Sequence, residues 1–142
     1  MGLGYAVGDY TRARKSALDR KRGKVIVVAR ELRERALLRA QLIEEGLDTI
    51  AVPGMEEAGE WLSDASITPI LLIYDCKGQA RLREDLGELA LFKGACPVLI
   101  LASPSDGSLR EAEGMGFRNV LARPVSIGNV VERARHLIHS SK

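Results

Sequence analysis

Aromatic residues are scarce in this chain: Trp, Tyr and Phe together make up 4% of its 142 residues. The core must therefore be aliphatic, and a base-stacking nucleic-acid platform, which needs rings, is disfavoured. Cysteine is scarcer still. Cys76 and Cys96 fit neither a metal-ligand spacing nor a disulfide framework, so two reduced, buried thiols are expected. No apolar run approaches the ~20 residues of a membrane span. Residues 12–24 are basic and lead into a strand pattern, with no cleavable apolar core, so no secretory signal is expected. Ala6 stands where a myristoylation start would need Ser or Thr. The expectation is a cytoplasmic protein with no membrane span.

What is present is an ordinary soluble balance, 46% hydrophobic and 28% charged, in a length that suits one domain. The net charge of +2 hides an asymmetry. Residues 1–24 hold seven bases against two acids, while the remainder is mildly acidic. A basic arm over residues 1–23 (Arg12, Arg14, Lys15, Arg20, Lys21, Arg22) is thus set apart from a domain over residues 24–142. The arm has three readings: a solubilising tail, a segment that docks on a partner, or a charge-driven contact with nucleic acid or anionic lipid. Nucleic acid would be reached only through this arm.

From Lys24 onward, short β-branched runs alternate with helical periodicity. Strands are expected at residues 25–28, 48–52, 70–74, 97–101 and 119–122, each apolar enough to be covered on both faces. Helices are expected at 31–45, 55–64, 79–93, from a Ser105 cap to about 114–116, and after a Ser126 cap. In the first, Leu38 and Leu42 recur on one face and Ala36, Leu37 and Ile43 one face over. In the second, Ala58, Trp61 and Leu62 are expected inward. Five strands alternating with five helices predict an open parallel sheet covered on both faces, in the doubly wound, flavodoxin-like order 2-1-3-4-5. Its site would lie beyond the carboxyl ends of the strands, at Ala29, Arg30 and Glu31, at Asp75 to Gly78, at Ala102 to Pro104, and at Arg123 and Pro124.

The ordered set of an apolar strand ending on Asp75, a Cys96–Leu101 strand and an Arg123-Pro124 pair resembles the response-regulator receiver (CheY-like) family over about residues 24–138. The resemblance implies that Asp75 matches the phosphoacceptor and that Arg123-Pro124 takes the place of a Lys-Pro pair whose bond is commonly cis. It also implies an acidic pair after the first strand that holds Mg²⁺, so that phosphoryl oxygens are neutralised while an aspartate attacks. Here that pair is Ala29 and Arg30. Alanine offers no ligand and a guanidinium repels a divalent cation. Glu31, one residue later, is the only nearby acid. The family's signalling hydroxyl corresponds to Ala102, and Ser103 beside it would point to the opposite face in a strand. The switch aromatic corresponds to Val120.

A degenerate pseudo-receiver is therefore expected, in which Arg30 or Arg123 fills the metal's place beside Asp75. It would be no enzyme and carry no metal or cofactor. It would work independently of phosphorylation, by binding another signalling protein or itself, in bacterial-type signalling. The alternative is a receiver phosphorylated on Asp75 despite the degraded site. A cofactor carrier on the same frame is disfavoured, because residues 29–35 lack the small residues that bring amides close to phosphate. The family's partner face implies Leu109, Arg110, Glu113, Val120, Val131 and Arg135 as contacts, with a homodimer through them. Cys76 could be a redox thiol if Lys77 lowered its pKa. His136 and His139 lack a third ligand nearby and read as solvated.

Overall fold

The computed structural model describes residues 23–140. The expected basic arm lies outside them except for Gly23. The elements alternate strictly: β1 (Lys24–Val28), α1 (Leu32–Glu44), β2 (Thr49–Val52), α2 (Met55–Leu62), β3 (Pro69–Asp75), α3 (Leu82–Ala90), β4 (Val98–Ala102), α4 (Ser108–Gly114), β5 (Val120–Ala122) and α5 (Ile127–Ser140). All strand pairings are parallel and the sheet order is β2-β1-β3-β4-β5, as the alternation predicts.

Side chains alternate across the pleat and divide the core in two. Val25, Val27, Leu71, Ile73, Leu99 and Leu101 face α1 and α5, where they meet Leu38, Leu42, Val130, Val131, Ala134 and Leu137. Ile26, Val28, Leu72, Tyr74, Val98 and Ile100 face α2, α3 and α4, against Ala58, Leu86, Leu89 and Ala112. Leu71, Leu72, Ile73 and Tyr74 are essentially inaccessible, which makes β3 the spine of the sheet. Each such side chain contributes about 1.5–3 kcal/mol relative to remaining in water.

Several local expectations are corrected. Residues 79–81 and 91–95 turn outside α3, closing with three-residue bonds such as Phe92 N–H to Leu89 C=O at 2.9 Å. Ser105 does not cap α4. The N-cap is Gly107 at φ 83°, a left-handed conformation that suits glycine, and the Asp106 carboxylate accepts the Ser108 amide at 2.9 Å. Ser126 does cap α5, its hydroxyl accepting the Asn129 amide at 3.1 Å. Trp61 is 41% exposed, because Met55, Ala58 and Leu62 take the inward stripe of this short helix. On α1, Ala36, Leu37 and Ile43 face solvent while Leu38 and Leu42 are buried.

One buried polar link ties β3 to α3: the Tyr74 hydroxyl donates to Asp85 Oδ2 at 2.5 Å. Burial, reinforced by that carboxylate, raises the phenol's pKa well beyond its ordinary value. Tyr74→Phe leaves Asp85, itself buried, without this partner. The expected loss is about 1–3 kcal/mol of unfolding free energy, measured by urea titration.

Candidate functional site

Four strand ends converge where a doubly wound sheet places its site. Asp75 is the last residue of β3 and is buried, at 4% exposure. The residue after β5 is Arg123, joined to Pro124 by a cis bond. Its Nη2 contacts Asp75 Oδ2 and also donates to Glu34 Oε1 at 3.0 Å. One guanidinium nitrogen therefore lies between two carboxylates, one from β3 and one from the first turn of α1. The backbone N–H of Lys77 donates to the other Asp75 oxygen at 3.0 Å. Lys77 Nζ lies 3.4 Å from Glu34 and 4.0 Å from Glu31, on the open side of the cluster.

The electrostatics follow from burial and from this shared cation. Desolvation raises the Asp75 carboxyl above its usual range, more than the Lys77 amide and Arg123 lower it, and the Glu34 charge adds to the rise. Burial also penalises Glu34, yet Arg123 and Lys77 together hold it below the ordinary value. Desolvation works against the Arg123 cation too, but Asp75 and Glu34 outweigh it and keep the guanidinium firmly charged. Its Nε is buried without a hydrogen-bond partner.

Beside this cluster lies a cleft of about 240 Å³ lined by Lys77, Ala102, Ser103, Asp106, Ser108 and Arg123. Ala102 closes β4 and offers no hydroxyl. Ser103, one residue beyond the strand, lines the same cleft, and its backbone N–H and C=O engage the Ser108 hydroxyl. The Ser108 hydroxyl is already engaged: it accepts the Ser103 amide at 2.8 Å and donates to Asp106 Oδ1 at 2.6 Å.

The two arginines expected near Asp75 behave differently. Arg123 reaches it. Arg30 does not: its side chain is exposed, bonds Gln79 Oε1 at 3.3 Å and covers Gly54 and Gly78. Gly78 has φ 76°, and a Cβ there would also meet the Arg30 stem at 3.3 Å. Glu31 is the exposed N-cap of α1, with its carboxylate turned toward Lys77 and not toward Asp75. Glu34 is the acid that the sequence reading missed. Its only signal was its place in the first turn of α1, one helical turn after Arg30.

A divalent metal would need several oxygen or nitrogen donors gathered at one point. Among the described residues no group of three or more His, Cys, Asp or Glu side chains is placed to hold one. The Asp75 and Glu34 carboxylates share a protein cation instead. Cys76 is no activated thiol, since burial, aided by the Asp75 charge, pushes it up to about 12.

The expected partner face also changes. Val131 is buried in the core, at 5% exposure, and cannot be a contact. Arg135 Nη1 donates to Glu45 Oε1 at 3.0 Å, so it lies on the α1 side of α5, away from α4. Leu109 and Val120 are half-buried against the core, while Arg110, Glu113 and Arg135 are exposed. Among the described residues, no helix is long and apolar enough to cross a membrane.

No protein-family model and no curated protein matches the chain. Solved structures do. A response regulator receiver domain protein from Clostridium thermocellum superposes with a TM-score of 0.70 at 18% identity, over 84% of this chain and 96% of that one. The receiver domain of NtrX from Brucella abortus gives 0.68 at 21% identity, over 81% and 98%. A response regulator from Thermotoga maritima gives 0.66 at 17% identity, over 82% and 98%. These similarities span nearly the whole of each neighbour, and the chain has the receiver-domain fold of two-component response regulators.

Proposed function

We propose that this protein is a pseudo-receiver, a phosphorylation-independent regulatory module that acts by binding another signalling protein or itself. The observation that carries this reading is the position of Arg123 Nη2, shared between Asp75 and Glu34. A phosphoacceptor aspartate needs a free oxygen and a metal to gather the incoming phosphoryl oxygens. Here one Asp75 oxygen is held by a guanidinium and the other by the Lys77 amide. Arg30 stands where the second metal-binding acid would be, and Ala102 where the hydroxyl would be. The cluster joins α1, β3 and β5 through charge alone, so those loops hold one arrangement without phosphate. Val120, in place of an aromatic, is packed against the core and supplies no rotating side chain.

The test is incubation of the full chain with a small phosphodonor and Mg²⁺, followed by intact-mass measurement. No adduct is expected. A stable gain of ~80 Da on Asp75, the mass of one phosphoryl group, would overturn the reading and make the chain a working receiver.

A further inference from the structure

Helix α1 carries apolar side chains on two faces. Leu38 and Leu42 enter the core, whereas Leu32, Leu37 and Ile43 are 69%, 49% and 43% exposed. They are three of the five large hydrophobics exposed among the described residues; Leu32 and Ile43 share one face, and Leu37 lies roughly 120° or more round the helix from them. Leu32, Ala36, Ala40 and Ile43 follow at four-, four- and three-residue spacing, within an arc of roughly 80°. Ala36 and Ala40 are exposed as well. A helix that only faced water would carry polar residues there.

This stripe is self-complementary. It is bulky at both ends and small in the middle. Laid antiparallel across a two-fold axis between Ala36 and Ala40, Leu32 of one copy meets Ile43 of the other, and the alanines allow close backbone approach. Arg33 and Glu44 are both exposed and lie on one flank of the stripe. The same axis sets Arg33 of each copy beside Glu44 of the other, giving two opposite-charge contacts. On the other flank, Arg35 and Arg39 are tied to the chain's own carbonyls, at Ala29, Arg30 and Thr49. The chain's own basic head is a poor occupant, since its six bases would approach three arginines.

We infer that α1 is a self-association face, through which two copies pair antiparallel about the Ala36–Ala40 centre. This deepens the self-binding reading above by naming the surface, and it stands or falls independently of the phosphate chemistry. The helix has 13 residues, a length of about 20 Å, so the buried area falls below that of a standard interface and the dimer should be weak.

Sedimentation equilibrium of the full chain, from micromolar to millimolar concentration, tests it. The apparent mass should climb from 15.5 kDa toward twice that value. Ile43→Asp should hold it at monomer while the circular dichroism spectrum stays unchanged. Arg33→Glu and Glu44→Arg should each weaken the dimer several-fold, and the two together should restore it. A monomer throughout, a dimer indifferent to Ile43→Asp, or one indifferent to both charge reversals overturns the pairing. So does a chain that dimerises only once residues 1–22 are removed, which would assign the stripe to the basic head.

Discussion

Replacing Arg123 with alanine is expected to cost about 3 kcal/mol of unfolding free energy at neutral pH, the usual penalty for removing one partner of a buried ion pair. The Asp75 side chain is 6% exposed, and after the change only the Lys77 amide would compensate its charge. Glu34 would lose the same partner but is more open to water, so Asp75 should account for most of the loss. Adding Asp75→Asn should recover most of it, since the orphaned charge is then gone. Urea unfolding of the two single variants and the double variant measures the coupling directly. A loss under ~1 kcal/mol for Arg123→Ala, in the range of exposed pairs, would show that the cluster does not hold the loops.

The pH dependence has opposite signs for the two acids. Glu34 titrates below its ordinary value in the folded state, so its contribution is complete above the usual carboxylate range and is lost as pH falls through that lower value. Glu34→Gln should therefore be less stable than wild type at neutral pH, and the difference should close on acidification. Asp75 is raised, so its ionised form is penalised by folding and its protonation favours the folded state as pH first falls. The same urea titration at neutral and acid pH reads both.

The second large effect is a gain of metal binding. Arg123 Nη2 occupies a point between two carboxylates, which is where a small hard cation would take oxygen ligands. Arg123→Ala vacates that point, and Arg30→Asp adds an acid at the end of β1. The double variant should show a thermal midpoint that rises with Mg²⁺ or Mn²⁺, by about 2.7 kcal/mol of stabilisation at a hundredfold excess over its dissociation constant. Wild type should show no rise. Arg30→Asp alone should gain little, because Arg123 stays on Asp75. If that single change confers the full metal response, Arg123 is not what closes the site.

Much of the site was legible in the sequence because the fold aligns strand ends by topology alone. Once the order 2-1-3-4-5 is expected, Asp75 and the residues after β5 must come together, and Arg123 is the cation that arrives there. Arg30 and Glu31 were harder. They sit in the turn into α1, where a single backbone rotation decides whether a side chain enters the cleft or covers the glycines beside it. Glu34 was hidden for a related reason. Helix periodicity marks it as a first-turn acid on a polar face, and nothing local shows that β5 will deliver a guanidinium to it. Val131 was named a contact only because a partner face was carried over by position, although its apolar spacing with Val130, Ala134 and Leu137 faces it toward the core, where it lies.

The sequence by itself determined the alternation of buried strands and amphipathic helices, and with it the sheet order, because hydrophobic period and crossover handedness leave few alternatives. It also determined which chemical groups are missing at the strand ends, since an alanine side chain or a guanidinium cannot become a metal ligand in any conformation. Tertiary structure alone decided which arginine meets Asp75, that Glu34 completes the cluster, and that the exposed apolar stripe lies on α1. Those outcomes depend on side-chain reach and on the angle at which elements distant in sequence are packed, neither of which is encoded in local periodicity.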